Sequence, residues 1–92
     1  MKIFWTKESL QNLIEIESYI ARDNPIAAEK FINKLVELAE SLTKNQERGR
    51  VVPEFSISQI RELLYKNYRM VYITKKRRIE ILTVLEGYKL LN

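Results

Sequence analysis

The chain opens on a short apolar-polar segment, Lys2–Trp5, which reads as a first strand with Trp5 turned to the core. Thr6 then offers an N-cap, and Glu8 lies in the first turn, where the helix dipole favours a negative charge. From about Lys7 to Ala21, Leu10, Leu13, Ile14 and Ile20 recur at helical spacing above a polar opposite face. Asp23-Asn24-Pro25 closes this helix and opens another: Asn24 is the N-cap, and Pro25 takes the first helical position, where its missing N–H costs nothing. The second helix carries the most regular stripe, Ala28, Phe31, Ile32, Leu35, Leu38, Ala39 and Leu42, over about four turns. A link this short predicts an antiparallel helical hairpin. So regular a stripe predicts core, where each fully buried Leu, Ile or Phe contributes roughly 1.5–3 kcal/mol.

The second half of the chain changes period. Lys44 to Arg50 is a polar, Gly-containing link, and Val51-Val52 is a brief edge segment that Pro53 keeps from being a central strand. Ile60–Ile73 then sets two runs rich in Ile, Leu, Val and Tyr on either side of Lys66-Asn67, which predicts a β-hairpin, with Asn67 suited to the positive φ of a tight turn. Arg61 and Arg69 interrupt these apolar strands, one on each side of the turn. Thr74–Arg78 is a turn dense in positive charge. The last strand, Ile79–Leu85, places Ile79, Ile81, Thr83 and Leu85 on one face and Leu82 and Val84 on the other, as expected of a central strand. Tyr65, Tyr68 and Tyr72 read as sheet-packing residues.

Length and composition narrow the chemistry. The 92 residues predict one domain spanning 1–92, and 46% apolar residues with two Gly and two Pro predict a compact fold. No apolar run approaches the roughly 20 residues of a membrane span, and the N-terminus lacks a secretory pattern, so a cytoplasmic location is expected. The chain has no Cys, which excludes disulfides and thiolate chemistry, and no His, which removes the commonest general base and metal ligand near neutral pH. No phosphate-binding Gly-rich loop or metal-ligand cluster is present, so neither metal nor cofactor is expected. The net charge of +4 and pI near 9.4 favour an acidic partner or a nucleic acid.

Several short motifs then form an ordered set: Gly49-Arg50 with Val52-Pro53-Glu54, Ile60-Arg61-Glu62-Leu63, and Tyr68-Arg69-Met70-Val71-Tyr72. Together they resemble the toxins of the RelE/ParE superfamily of bacterial type II toxin–antitoxin systems, most closely the ParE-like, plasmid-stabilisation branch. The helical half fits as well, with Asp23-Asn24-Pro25 and Ala27-Ala28 ahead of the long helix. The resemblance implies an α+β fold of order β-α-α-β-β-β, an antiparallel sheet packed against an N-terminal helical hairpin, with the last strand beside the first. It also implies a cognate antitoxin, typically an acidic, partly disordered segment that folds on binding, and hence a hetero-oligomer.

The resemblance implies an activity in one of two classes. A ParE-like toxin poisons DNA gyrase without catalysing anything itself, and its contact surface would draw on Arg50, Arg61, Arg69, Lys75, Lys76, Arg77, Arg78 and Lys89. A RelE-like toxin cleaves mRNA on the ribosome without a metal: a base takes the 2′-hydroxyl proton, cations hold the phosphate, and an acid protonates the leaving oxygen. On that reading Arg61 and Arg69 hold the phosphate, Glu86 acts as base and Tyr88 orients the scissile group. A third reading keeps only the fold and antitoxin binding. From the residues alone, plainer roles stand beside these. Arg61 and Arg69 pair with Glu62 or Glu54 across strands, Lys75–Arg78 is a solvated turn, and Glu86 and Tyr88 form a strand-end surface pair.

Overall fold

The computed structural model describes residues 1–89 and 91. The elements follow the local signals closely. Strand β1 (Lys2–Trp5) runs into helix α1 (Lys7–Ala21), whose N-cap Thr6 is extended and accepts the Ser9 N–H through Oγ1 at 3.1 Å. Helix α2 (Pro25–Ser41) starts with Pro25 in the first turn, and the Asn24 Oδ1 accepts the Ala27 N–H at 3.0 Å. Then come β2 (Arg50–Val51), β3 (Ile60–Tyr65), β4 (Tyr68–Thr74) and β5 (Arg78–Glu86).

The five strands form one sheet in the order β1-β5-β4-β3-β2, with the last strand beside the first as expected. The sheet is mixed rather than wholly antiparallel, because β1 pairs with β5 in parallel, Lys2 opposite Arg78 and Trp5 opposite Ile81. No local pattern sets this direction; it follows from where α1 must begin. The parallel sense leaves the end of β1 beside Ile81, so that α1 can start at Thr6 and lie over the second half of β5.

Both helices cover the same face of the sheet. Their core joins Leu13 and Ile16 of α1 and Leu35 and Ala39 of α2, with Leu42 just beyond α2, to Met70 and Tyr72 of β4 and Ile79, Ile81 and Val84 of β5. Trp5, Phe31, Tyr65 and Tyr68 pack at its margin, with the Phe31 ring 5.3 Å from Tyr65 and 5.5 Å from Tyr68. The stripe of α1 differs from its sequence reading. Ser9, Leu13 and Ile16 face inward, whereas Leu10 and Ile14 are 48% and 57% exposed, since each lies about 100° around the helix from its inward neighbour.

The strict alternation expected along β5 also fails, at one residue. Val71 pairs with Thr83 and Tyr72 with Ile81, so Leu82 is an extra residue, a β-bulge that shifts the core face from Ile79 and Ile81 to Val84. Leu85 therefore lies opposite Arg69, away from the helices. The bulge falls where β1 ends and side chains take over its edge. Thr6 N–H bonds the Ile81 carbonyl at 3.1 Å and its hydroxyl reaches the Ile81 and Leu82 carbonyls, while Asn12 Oδ1 accepts from Val84 N at 2.9 Å and Thr83 Oγ1 at 3.0 Å. In the β3–β4 hairpin the loop is Lys66-Asn67, but the positive φ, 54°, belongs to Lys66. The Asn67 carbonyl is held by the Gly87 N–H at 2.6 Å, which orients that peptide.

Candidate functional site

A two-residue loop fixes the register of the hairpin: Tyr65 faces Tyr68, Leu64 faces Arg69, Glu62 faces Val71 and Arg61 faces Tyr72. Directly opposed residues share a face. Arg69 and Glu62 therefore lie on the face away from the helices, and Arg61 on the helix side with Tyr72. The two arginines singled out by the sequence do not converge.

Arg69 is the centre of a buried network. Its Nε donates to Glu62 Oε1 at 2.7 Å, Nη1 to Glu54 Oε2 at 2.8 Å and to the Lys89 carbonyl at 2.9 Å, and Nη2 to Glu54 Oε1 at 2.9 Å. Its side chain is 5% exposed and that of Glu62 is 0% exposed. Glu54 comes from the loop between β2 and β3, and it also accepts the Leu91 N–H at 3.2 Å, so one carboxylate ties that loop and the C-terminal segment to β4. The Arg69 guanidinium holds the Glu54 carboxyl well below the usual range, at about 2, and the two carboxylates hold Arg69 above its own. Arg50, opposite Glu62 in the β2–β3 pair, donates from Nε to Glu62 Oε2 at 2.6 Å. Gly49, just before β2, lets the chain pass close to the β3 backbone: a Cβ there would sit 2.5 Å from the Glu62 carbonyl oxygen and 2.8 Å from the Tyr72 hydroxyl. That hydroxyl accepts the Gly49 N–H and donates to the Gln46 carbonyl at 2.7 Å, and burial pushes its pKa up.

Of the other candidate residues, only Lys89 touches this network, through its backbone carbonyl. Arg61 donates to the Ser58 and Gly49 carbonyls, each at 3.0 Å, and so ties the residue before β2 to the end of the loop that enters β3. Lys75, Lys76, Arg77 and Arg78 are all exposed at the β4–β5 turn, with Arg78 2.7 Å from Glu80 and 5.7 Å above the Phe4 ring. Glu86 ends β5 at the opposite end of the sheet and lies 3.8 Å from Lys89, while Tyr88 is 75% exposed. Glu86 and Lys89 border an open cleft of about 440 Å³ with Asn12, Glu15, Tyr19 and Tyr68. There, burial and the neighbouring Glu86 charge raise the Tyr68 pKa. Among the described residues no three His, Cys, Asp or Glu side chains converge in a way that could hold a metal ion.

The four motif charges, Arg50, Glu54, Glu62 and Arg69, are thus the corners of a single network. Of the pairing expected for the two arginines, Arg69 makes it with both glutamates, with Glu62 across the strands and with Glu54 from the β2–β3 loop, whereas Arg61 bonds carbonyls instead. The Arg50–Glu62 contact, and the edge-sealing role of Asn12, carried no local signal, because each depends on a register set far away in sequence.

The profile of the family described as "ParE toxin of type II toxin-antitoxin system, parDE" matches residues 3–90. The chain belongs to the ParE toxin family. Over 63 residues, 68% of this chain and 67% of the relative, it is 33% identical to the toxin RelE2 of Caulobacter vibrioides. It shares its fold with a solved structure titled "Chromosomal ParDE TA system from P. aeruginosa", at TM-score 0.77 and 22% identity over 94% of this chain and 95% of that one. In this ParE chain no helix of the described residues is long and apolar enough to cross a membrane.

Proposed function

We propose that residues 1–92 act as one toxin domain that inhibits DNA gyrase by binding it in the cytoplasm, and that a cognate antitoxin neutralises it in a hetero-oligomer. One observation carries the choice of binding over RNA cleavage. Four N–H bonds of the Arg69 guanidinium go to two carboxylates and a carbonyl, with the side chain 5% exposed. An arginine that stabilises a transition-state phosphate must turn its fork to the substrate, and this fork is turned inward. Arg61, on the opposite face, and Glu86, at the end of β5, do not join Arg69 around one phosphate position. Gyrase as the target rests on the likeness to the ParE branch. The antitoxin reading is supported by the net charge of +4 and by Leu10 and Ile14, exposed one turn apart on α1.

The test is the order in which syntheses stop after the chain is induced alone in a bacterium, followed by pulse labelling. DNA synthesis should fall first, and the purified protein should block supercoiling by gyrase. Protein synthesis falling first, with mRNA cut within ribosomes, would overturn the proposal. Co-expression with the adjacent antitoxin gene should restore both growth and solubility.

A further inference from the structure

We propose that Arg50 is the residue through which the edge of the sheet face turned away from the helices grips the toxin's protein target, by clasping a carboxylate of that partner, with Glu62 and Arg69 as its positioning residues; this deepens the binding reading above and rests on it. Arg50 lies on β2 at the edge of the sheet, and its side chain is 57% exposed although its Nε is bound to a carboxylate that is 0% exposed. Glu62 cannot swing away, because its other oxygen is held by Arg69, itself 5% exposed. The plane of the Arg50 guanidinium is therefore set from within the fold. Among the described residues Nη1 and Nη2 donate to nothing, so the edge of the fork that suits a bidentate carboxylate faces solvent.

The surroundings favour a carboxylate from a protein over a nucleic-acid backbone. Phosphate backbones are held by several cations along a track. Arg50 has the carboxylates Glu54 and Glu62 behind it, two negative charges against the two positive charges of Arg50 and Arg69, and its outward edge is the positive pole of an otherwise balanced cluster. Beside it on the same face is Leu64, two residues along β3 from Glu62 and 55% exposed. β2 pairs only with Arg61 and Glu62, so no strand lies outside Leu64. A fixed guanidinium next to an uncovered leucine matches an acidic side chain with an apolar neighbour. Pre-setting the fork also lowers the ordering cost of the contact.

The experiment compares the full chain with Arg50→Ala, Arg50→Lys and Leu64→Glu. It reads growth arrest on induction, denaturation midpoint, co-purification with antitoxin, and inhibition of gyrase supercoiling. Arg50→Ala should weaken arrest and target inhibition by about 10- to 100-fold, with antitoxin binding retained and the denaturation midpoint lowered by less than in Arg69→Ala, since Glu62 keeps its Arg69 partner. Arg50→Lys should stay impaired because it keeps the charge and loses the fork. Leu64→Glu, which sets a carboxylate beside the Arg50 fork, should impair arrest by occupying the fork and repelling the partner's carboxylate. Wild-type arrest by Arg50→Ala or Arg50→Lys overturns the proposal, as does loss of antitoxin binding with arrest intact. Binding of the wild type to duplex DNA alone, lost in Arg50→Ala, would assign the fork to phosphate and also overturn it. If the wild type arrests growth without touching gyrase and Arg50→Ala does not arrest, the gyrase reading falls and the Arg50 contact stands.

Discussion

The two faces of this sheet are covered by opposite means. On the helix side, burial is apolar: Leu35, Leu42, Met70, Tyr72, Ile79 and Ile81 are each 1% exposed or less, under two helices. On the other side no helix lies over β3 and β4, yet Glu62 is 1% exposed, Val71 1% and Arg69 4%. They are covered by the β2–β3 loop and the C-terminal segment, which Glu54 fastens to Arg69. Apolar burial is non-directional and degrades by degrees. An ionic cluster is directional, and removal of one member strands the others. The difference teaches that the first face sets how strongly the chain folds, and the second sets where a loop and a tail come to rest.

The sharpest way to break this comparison is Arg69→Ala. It leaves Glu62 buried without its main partner, and should destabilise by about 3–5 kcal/mol in urea unfolding. Replacing Arg69 and Glu62 together with Met, with Glu54→Gln, should recover most of that loss, which a purely additive network would not allow. Leu35→Ala on the apolar face should cost about 2–5 kcal/mol, and a second apolar truncation far from it should simply add. At the boundary between the faces, Asn12→Ala removes the acceptor for Val84 N–H and should cost about 1–3 kcal/mol. Asn24→Ala, a local cap with no part in either face, should cost about 1 kcal/mol.

The smallest effect is a pH dependence confined to the charged face. Glu54 titrates at about 2 in the folded chain against 4.5 unfolded, so its contribution is fully present above about 4.5 and is lost as pH falls toward 2. The urea midpoint of the wild type should drop across that window more steeply than that of Glu54→Gln. Equal slopes would show that the clamp contributes nothing to folding.

Much of the helical half was legible because its signals are local. Thr6, Asn24 and Pro25 each act within about one turn of their own position, and both helices begin where these residues place them. The hairpin was legible for the same reason. Less visible were features set by distant neighbours: the parallel direction of β1, the bulge at Leu82, and the inward turn of Ile16 in place of Leu10 and Ile14. The candidate site shows the same division. Glu62 and Glu54 are legible from sequence as partners of an arginine, but that both reach Arg69 together, while Arg61 bonds carbonyls instead, depends on the loop that carries Glu54. The opposition of Arg61 and Arg69 followed only once the turn was known to contain two residues.

The seal that Thr6 and Asn12 place on β5 ties two kinds of motion together. Val84 N–H points to an edge with no neighbouring strand, where an amide would ordinarily trade its proton with solvent by fraying. Here its acceptor belongs to α1. Hydrogen exchange at Val84 should therefore report undocking of the first helix, slowing whenever that helix is pinned and rising to match its neighbours when Asn12 is removed. A single amide near the end of the sheet becomes a gauge of whether the helical layer is seated.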